Sequence, residues 1–189
     1  MYTLDTFPDQ VTGVTVALSS DTYGVTITWN AYVDNGDSVD KAAIYILESD
    51  STTFSLETSN CDGTLLAVYN TRTCTIPFSV LRAAPFNLDT LTEVVAKVQA
   101  HNSYGWSIDS AVSTGGQTVL TEPKKANTPT TSLVTARTIT VSWTALTTTF
   151  NTGDSSITSY ALWQSEGPSY PTWTEVRGLT TADTTLTTT

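Results

Sequence analysis

An internal repeat constrains this chain more than any other feature. The stretch Val25-Thr26-Ile27-Thr28-Trp29 recurs as Ile139-Thr140-Val141-Ser142-Trp143, about 114 residues further on. Each copy alternates apolar and polar residues and ends in a large aromatic, the pattern of a β-strand with one buried face. A polar stretch containing Gly-Asp-Ser follows each Trp, at Gly36-Asp37-Ser38 and Gly153-Asp154-Ser155. Another alternating strand then follows, Ala42 to Leu47 in the first copy and Ile157 to Trp163 in the second. The spacing is that of one β-sandwich domain carrying an insertion.

The first copy continues through Leu65 to Tyr69, a Cys74-Thr75-Ile76-Pro77 segment and a long strand from Val94 to Ala100. Asn102-Ser103-Tyr104-Gly105 makes a turn, and a last strand is expected over Gln117 to Leu120. Helical signals are weak: residues Ser79 to Ala84 have room for one turn before Pro85 stops it. Pro123 and Pro129 remove ladder donors, so residues 123–129 read as a linker. The expected domains are therefore 8–122 and 130–189.

Both ends carry a pattern. Tyr2-Thr3-Leu4-Asp5-Thr6-Phe7-Pro8 matches Gln117-Thr118-Val119-Leu120-Thr121-Glu122-Pro123 in position and in its run into proline. Residues 1–7 thus read as the closing strand of a preceding repeat, or as a strand donated to another copy. The second copy shows no counterpart of the Val94–Ala100 or Gln117–Leu120 strands, so its sandwich is expected to lack its last two strands.

Composition narrows the function classes. Threonine makes up roughly a fifth of the chain, and this β-branched residue favours strands. Charged residues are 14%, against about 25% in ordinary globular domains. The net charge of −10 and the scattered basic residues argue against nucleic acid, whose phosphates need clustered Lys and Arg. No apolar run approaches the ~18 residues of a membrane span, so membrane insertion is not expected.

Together these residues resemble fibronectin type III domains. Trp29 and Trp143 fit the buried Trp of the family's second strand. Val94-Val95-Ala96-Lys97-Val98-Gln99-Ala100-His101-Asn102-Ser103-Tyr104-Gly105 fits alternating apolar residues followed by Ala-x-Asn-x-x-Gly. Ile157-Thr158-Ser159-Tyr160-Ala161-Leu162 looks like the third strand. The resemblance implies an all-β chain of tandem immunoglobulin-like sandwiches. It departs from the family at Val94 and Ala42, where tyrosines are expected, so no tyrosine-corner hydrogen bond is available from Val94. The segment Cys61-Asp62-Gly63 to Cys74-Thr75-Ile76-Pro77 is not standard for animal domains. It looks like a variant from long repetitive surface proteins of unicellular eukaryotes such as ciliates and algae.

Candidate chemistry is sparse. Cys61 and Cys74 are the two cysteines, and a single His rules out a Cys2His2 zinc site. With no Cys-x-x-Cys redox motif, a disulfide is the leading reading and implies an oxidising compartment. His101 is the one candidate base, but no nucleophile signature accompanies it, and it reads as a solvent-facing strand residue. Asp34, Asp37 and Asp40 crowd one loop, where turn chemistry competes with a calcium site and is preferred. Trp163, Tyr170 and Trp173 lie on or beside a turn, either as a contact surface for a protein or glycan or as core. No Asn-x-Ser/Thr sequon occurs, whereas threonine clusters near prolines are compatible with O-glycosylation.

The expectation is a non-catalytic protein of the extracellular space or cell surface with no cofactor. Its leading role is a structural repeat unit of a filament, appendage or coat, contacting copies of itself or adjacent repeats. The alternative is an adhesion or receptor ectodomain that binds a protein or glycan.

Overall fold

The computed structural model describes residues 4–19, 21–135, 138–165, 167, 172–177 and 185–188. The chain divides into two compact units, Met1–Leu120 and Thr121–Thr189.

In the first unit the strands are β1 (Thr15–Leu18), β2 (Gly24–Thr28), β3 (Lys41–Leu47), β4 (Phe54–Leu56), β5 (Thr73–Pro77), β6 (Ala96–Asn102) and β7 (Gly105–Trp106). Two single-turn helices, α1 (Leu66–Tyr69) and α2 (Phe78–Leu81), flank β5. One sheet has the order β1-β2-β5 and the other β4-β3-β6-β7, and every pair between named strands is antiparallel. This is the two-sheet arrangement of a fibronectin type III-like sandwich.

Strict alternation in the sequence builds the core. Val25 and Ile27 of β2 and Ile76 of β5 face Ile44 and Ile46 of β3 and Ala96, Val98 and Ala100 of β6, all fully or nearly fully buried. Each fully buried aliphatic side chain contributes about 1.5–3 kcal/mol. Trp29 caps this layer, and its indole N–H donates to the Tyr32 hydroxyl at 2.9 Å, which donates in turn to the Tyr69 carbonyl at 2.9 Å. Burial raises the Tyr32 pKa, which keeps that hydroxyl a donor.

The closing strand departs from expectation. Residues 117–120 form no regular strand, although Val119 is fully buried and exchanges hydrogen bonds with Thr92 and Leu91. The edge of β6 is covered instead by Ser107, Ser110 and Ser113, three buried serines spaced every third residue. Their amides donate to the carbonyls of Ala100, Val98 and Ala96 at 2.8, 3.0 and 2.8 Å. Their hydroxyls accept the amides of Ala100, Val98 and Ala96 at 3.1, 3.0 and 2.9 Å. Three residues of this segment therefore climb the distance that two residues cover on β6. The hydroxyl supplies the acceptor that a strand would draw from its backbone. Beyond it, Thr114 pairs with Val14 and Val16, tying the segment to the β1 side of the sandwich.

In the second unit, β8 (Thr130–Thr135), β9 (Thr138–Ser142) and β12 (Thr185–Thr188) form a sheet of order β12-β9-β8, the counterpart of β5-β2-β1. Leu186 pairs with Val141 as Cys74 pairs with Ile27. Strands β10 (Leu162–Ser165) and β11 (Trp173–Arg177) form a two-stranded sheet, and α3 is the turn Thr149–Thr152. Among the described residues, nothing corresponds to β6 or β7.

Other expectations shift in detail. The third strand of the second copy starts at Leu162 rather than Ile157, because residues 156–160 take an irregular path in which the Leu146 amide donates to the Tyr160 hydroxyl at 2.8 Å. Residues 66–69 form α1, and the short helix after β5 runs Phe78–Leu81, one residue earlier than Ser79. The long strand of the first copy is displaced to Ala96–Asn102, although the Val94 amide still pairs with the Gln117 carbonyl.

Replacing Ser110 by Ala strands the Val98 amide at a buried edge. We expect Ser110→Ala to destabilise the first unit by about 1–3 kcal/mol in urea melts. Ile108→Ala, at an exposed neighbour, is expected to stay within about 0.5 kcal/mol.

Candidate repeat-joining site at the sandwich ends

The Ala-x-Asn-x-x-Gly motif at the end of β6 places Asn102 in a wholly buried position. Its carboxamide N–H groups donate to the carbonyls of Thr6 at 2.8 Å, Asp34 at 3.2 Å and Asp37 at 3.2 Å. Its oxygen accepts the Tyr104 amide at 3.0 Å. One side chain thus fastens the incoming N-terminal segment, the loop after Trp29 and the turn after β6.

The loop holds the same segment from its other side. Asn35, in the left-handed region at φ 57°, donates to the Phe7 carbonyl at 3.0 Å and to Asp9 Oδ1 at 2.9 Å. The Asp9 amide donates to the Val33 carbonyl at 2.9 Å. Gly36 has φ 94°, a backbone conformation that favours glycine, and the Asp5 carboxylate packs against its Cα where a side chain would otherwise stand.

The second unit repeats the arrangement. Gly153 has φ 71°, and a Cβ on it would collide with the Thr121 carbonyl. The Thr121 amide donates to the Gly153 carbonyl at 3.1 Å and the Lys124 amide to Asn151 at 2.9 Å. Thr6 and Thr121 are matched positions of the repeat, as are Gly36 and Gly153. The segment that enters each sandwich docks on the same glycine-bearing loop in both.

Of the expected strand 1–7, residues Met1, Tyr2 and Thr3 lie outside the described residues. Leu4, Asp5, Thr6 and Phe7 form no strand. Leu4 is 90% exposed, whereas Val119, its match in the repeat, is 0% exposed.

The three acids of the loop have separate partners. Asp34 accepts the Gly36 amide at 3.3 Å, Asp37 accepts the Ser103 hydroxyl and amide at 2.7 and 2.8 Å, and Asp40 meets His101. The Ser103 bonds hold the Asp37 carboxyl below its ordinary pKa. Among the described residues, no group of three His, Cys, Asp or Glu is placed to hold a metal ion.

His101 corrects the expectation of a solvent-facing residue. It lies on the outer face of the sheet, but its side chain is only 18% exposed. Its Nδ1 lies 2.7 Å from Asp40 Oδ1, and Trp106 packs against the ring edge to face at 4.8 Å between centroids.

Cys61 and Cys74 form a buried disulfide, with Cα atoms 5.3 Å apart. Cys74 sits on β5 in one sheet. Cys61 follows a turn beside the edge of β3 in the other, where the Ala42 amide donates to the Gly63 carbonyl at 2.9 Å. The bridge therefore staples the two sheets and contributes on the order of 3 kcal/mol in the chain-entropy model. The buried Glu57 carboxylate completes the turn by accepting the amides of Ser59, Asn60 and Cys61 at 3.0, 3.0 and 2.6 Å.

In the second unit, Trp163 and Trp173 are 50% and 62% exposed, on the surface and not in the core. Tyr170 lies outside the described residues. Trp163 and Trp173 line a groove of about 340 Å³ with Trp143, Tyr160 and Leu162, which are half-buried. The Trp143 indole N–H is buried with no partner among the described residues, unlike that of Trp29. Among the same residues β10 pairs with β11 alone, whereas β3 pairs on both edges.

The geometry defines a modular β-sandwich chain of fibronectin type III-like fold. The chain is similar to a crystal structure of chicken CNTN1 FN1-FN3 domains, at 16% identity over 96% of this chain and 56% of that one, with a TM-score of 0.44. It is also similar to a crystal structure of titin domains, at 20% identity over 57% of this chain and 31% of that one, with a TM-score of 0.41. Titin kinase and its flanking domains match at 15% identity over 73% of this chain and 27% of that one, also at 0.41. The chain spans about half or less of the length of each of these structures. No family model and no curated protein matches the chain.

Sequence reasoning missed the serine ladder and Glu57, and read Asn102 as part of a family motif without its three acceptors. The Ser-x-x-Ser-x-x-Ser spacing was the available signal for the ladder.

Asn102→Ala leaves three loop carbonyls without their donor. We expect a loss of about 2 kcal/mol or more in the first unit, together with faster amide exchange at residues 7–9. The Asp37 contact is present above the ordinary aspartate pKa of about 3.9 and is lost only as pH falls through the depressed folded value. The Ser103 amide resonance is therefore expected to hold steady from neutral pH to about 3.9 and to move below it.

Proposed function

We propose that this chain is a structural repeat unit of an extracellular filament, appendage or surface coat, joined head to tail at the ends of its sandwiches. The observation that carries this reading is the paired docking of matched segments, Asp5–Phe7 on Gly36 and Thr121–Lys124 on the Gly153 loop. Such reuse suits an array in which each repeat receives its predecessor in one fixed way.

Leu4 supports the same reading. It holds the position of the buried Val119 yet is exposed, so it offers an apolar side chain to a neighbouring sandwich. The edge of β10 that is open among the described residues, with its groove, offers a place for such a strand to add. Residues 1–4 of another copy, ahead of the Asp5–Phe7 segment that docks on its own sandwich, would supply a short strand there. A head-to-tail contact of this kind does not close on itself and makes a filament. The buried disulfide fits an oxidising extracellular setting.

The alternative reading, an adhesion or receptor ectodomain, is favoured by the exposed Trp163 and Trp173 beside the same groove. Negative-stain imaging of the concentrated protein separates the two. Rods or helical polymers that disappear in a variant lacking residues 1–4, which keeps the Thr6 and Phe7 contacts of the first unit, support the structural role. A monodisperse monomer at every concentration, unaffected by that deletion, contradicts it.

A further inference from the structure

The outer face of the second sheet in the first unit holds a groove to which no role has been given above. It occupies about 380 Å³ and runs over β3, β6 and β7, walled by the segment 56–64 that the disulfide turn holds in place. Its floor is Ala43. Facing outward between Lys41 and Tyr45 and paired with Gln99, this small side chain is 5% exposed, at the bottom of a dip between its larger neighbours. Leu56, opposite Tyr45 on β4, forms one wall.

Trp106 forms the other wall and is 43% exposed. An exposed indole on a two-residue edge strand is normally free to change rotamer. Here it is braced, because Asp40 fixes the His101 ring and that ring packs edge to face on Trp106. Lys41 Nζ lies 5.6 Å from the centre of the same indole, within cation–π range. The fold therefore holds a half-exposed indole in one orientation, with the His101 ring packed on it and a Lys41 ammonium over its face that a stacked ligand would displace.

Polar groups of the groove retain capacity. Gln99 uses one N–H on the Ser107 carbonyl at 3.1 Å, leaving its oxygen and a second N–H. Lys41 brings up to three donors. At the rim, Asp62 Oδ1 accepts both the amide and the hydroxyl of Thr64.

We propose that this groove binds a saccharide, with a pyranose ring stacked on Trp106 over Ala43 and its hydroxyls paired with Gln99 and Lys41. A sugar presents an apolar C–H face and a polar edge together, matching a groove that combines an aromatic plane with amide and ammonium groups. A purely apolar ligand would leave Gln99 and Lys41 desolvated without partners. A polyanion would meet a chain of net charge −10.

The test is a titration of the whole ¹⁵N-labelled protein with cellotriose, mannotriose and chitotriose, reading the indole N–H resonances. At least one probe is expected to move the Trp106 signal saturably, with Kd on the order of 1 mM. Trp106→Ala and the groove-filling Ala43→Leu are each expected to weaken that binding about tenfold or more, by chemical shifts elsewhere in the first unit. Ala43→Leu keeps the aromatic surface, so its effect reads the groove itself. The proposal is overturned if no probe moves Trp106 at about 20 mM, if both variants bind as the parent does, or if only Trp163 and Trp173 respond.

Discussion

The buried carboxamide of Asn102 is the interaction on which the arrangement of the first unit's end depends. A side chain with two N–H donors and one acceptor oxygen meets three carbonyls and one amide, drawn from the N-terminal segment, the loop after Trp29 and the turn after β6. Any one of these carbonyls could be hydrated if the segment swung away, but Asn102 lies at 0% exposure and would then lose a partner in a dry site. Docking of residues 6–9 is thereby coupled to formation of the sandwich. Gly36 and Asn35 complete the seat by taking backbone conformations that bulkier residues avoid.

The two units treat their strand edges differently. In the first, β6 is closed by serines whose hydroxyls replace the missing backbone acceptors, so the edge offers little to another chain. In the second, β10 meets β11 and, among the described residues, nothing else, while half-buried aromatics line the adjoining groove. One chain thus combines a blunted edge with one that has no second partner among the described residues. The proposed head-to-tail reading takes the second of these as the acceptor.

Much of the sandwich was legible in the sequence, for a definite reason. Val25 to Trp29 and Ala42 to Leu47 turn one face to the core and one outward, so their alternation fixes which side chains reach the core. The relation between Thr6 and Thr121 was visible as a repeat, although it suggested strands where the chain makes docked irregular backbone. Features that depend on long-range geometry were not legible. His101 looked solvent-facing because its position on the outer face says nothing of Trp106 and Asp40 closing over it. The Ser-x-x-Ser-x-x-Ser spacing was visible but did not declare an element, because a period of three matches neither strand nor α-helix. The stretch from Ile157 to Ala161 reads as the start of a strand, yet it bends so that the Tyr160 hydroxyl can accept the Leu146 amide.

The account centres on the proposed head-to-tail joining, in which a strand from another copy adds along the edge of β10 that is open among the described residues. Hydrogen exchange of the amides of residues 162–165 that do not pair with β11, followed as protein concentration rises, tests it most directly. The account predicts that their protection increases with concentration, and that the increase is lost when Leu4 is replaced by Asp. Exchange at these amides that is independent of concentration would contradict it.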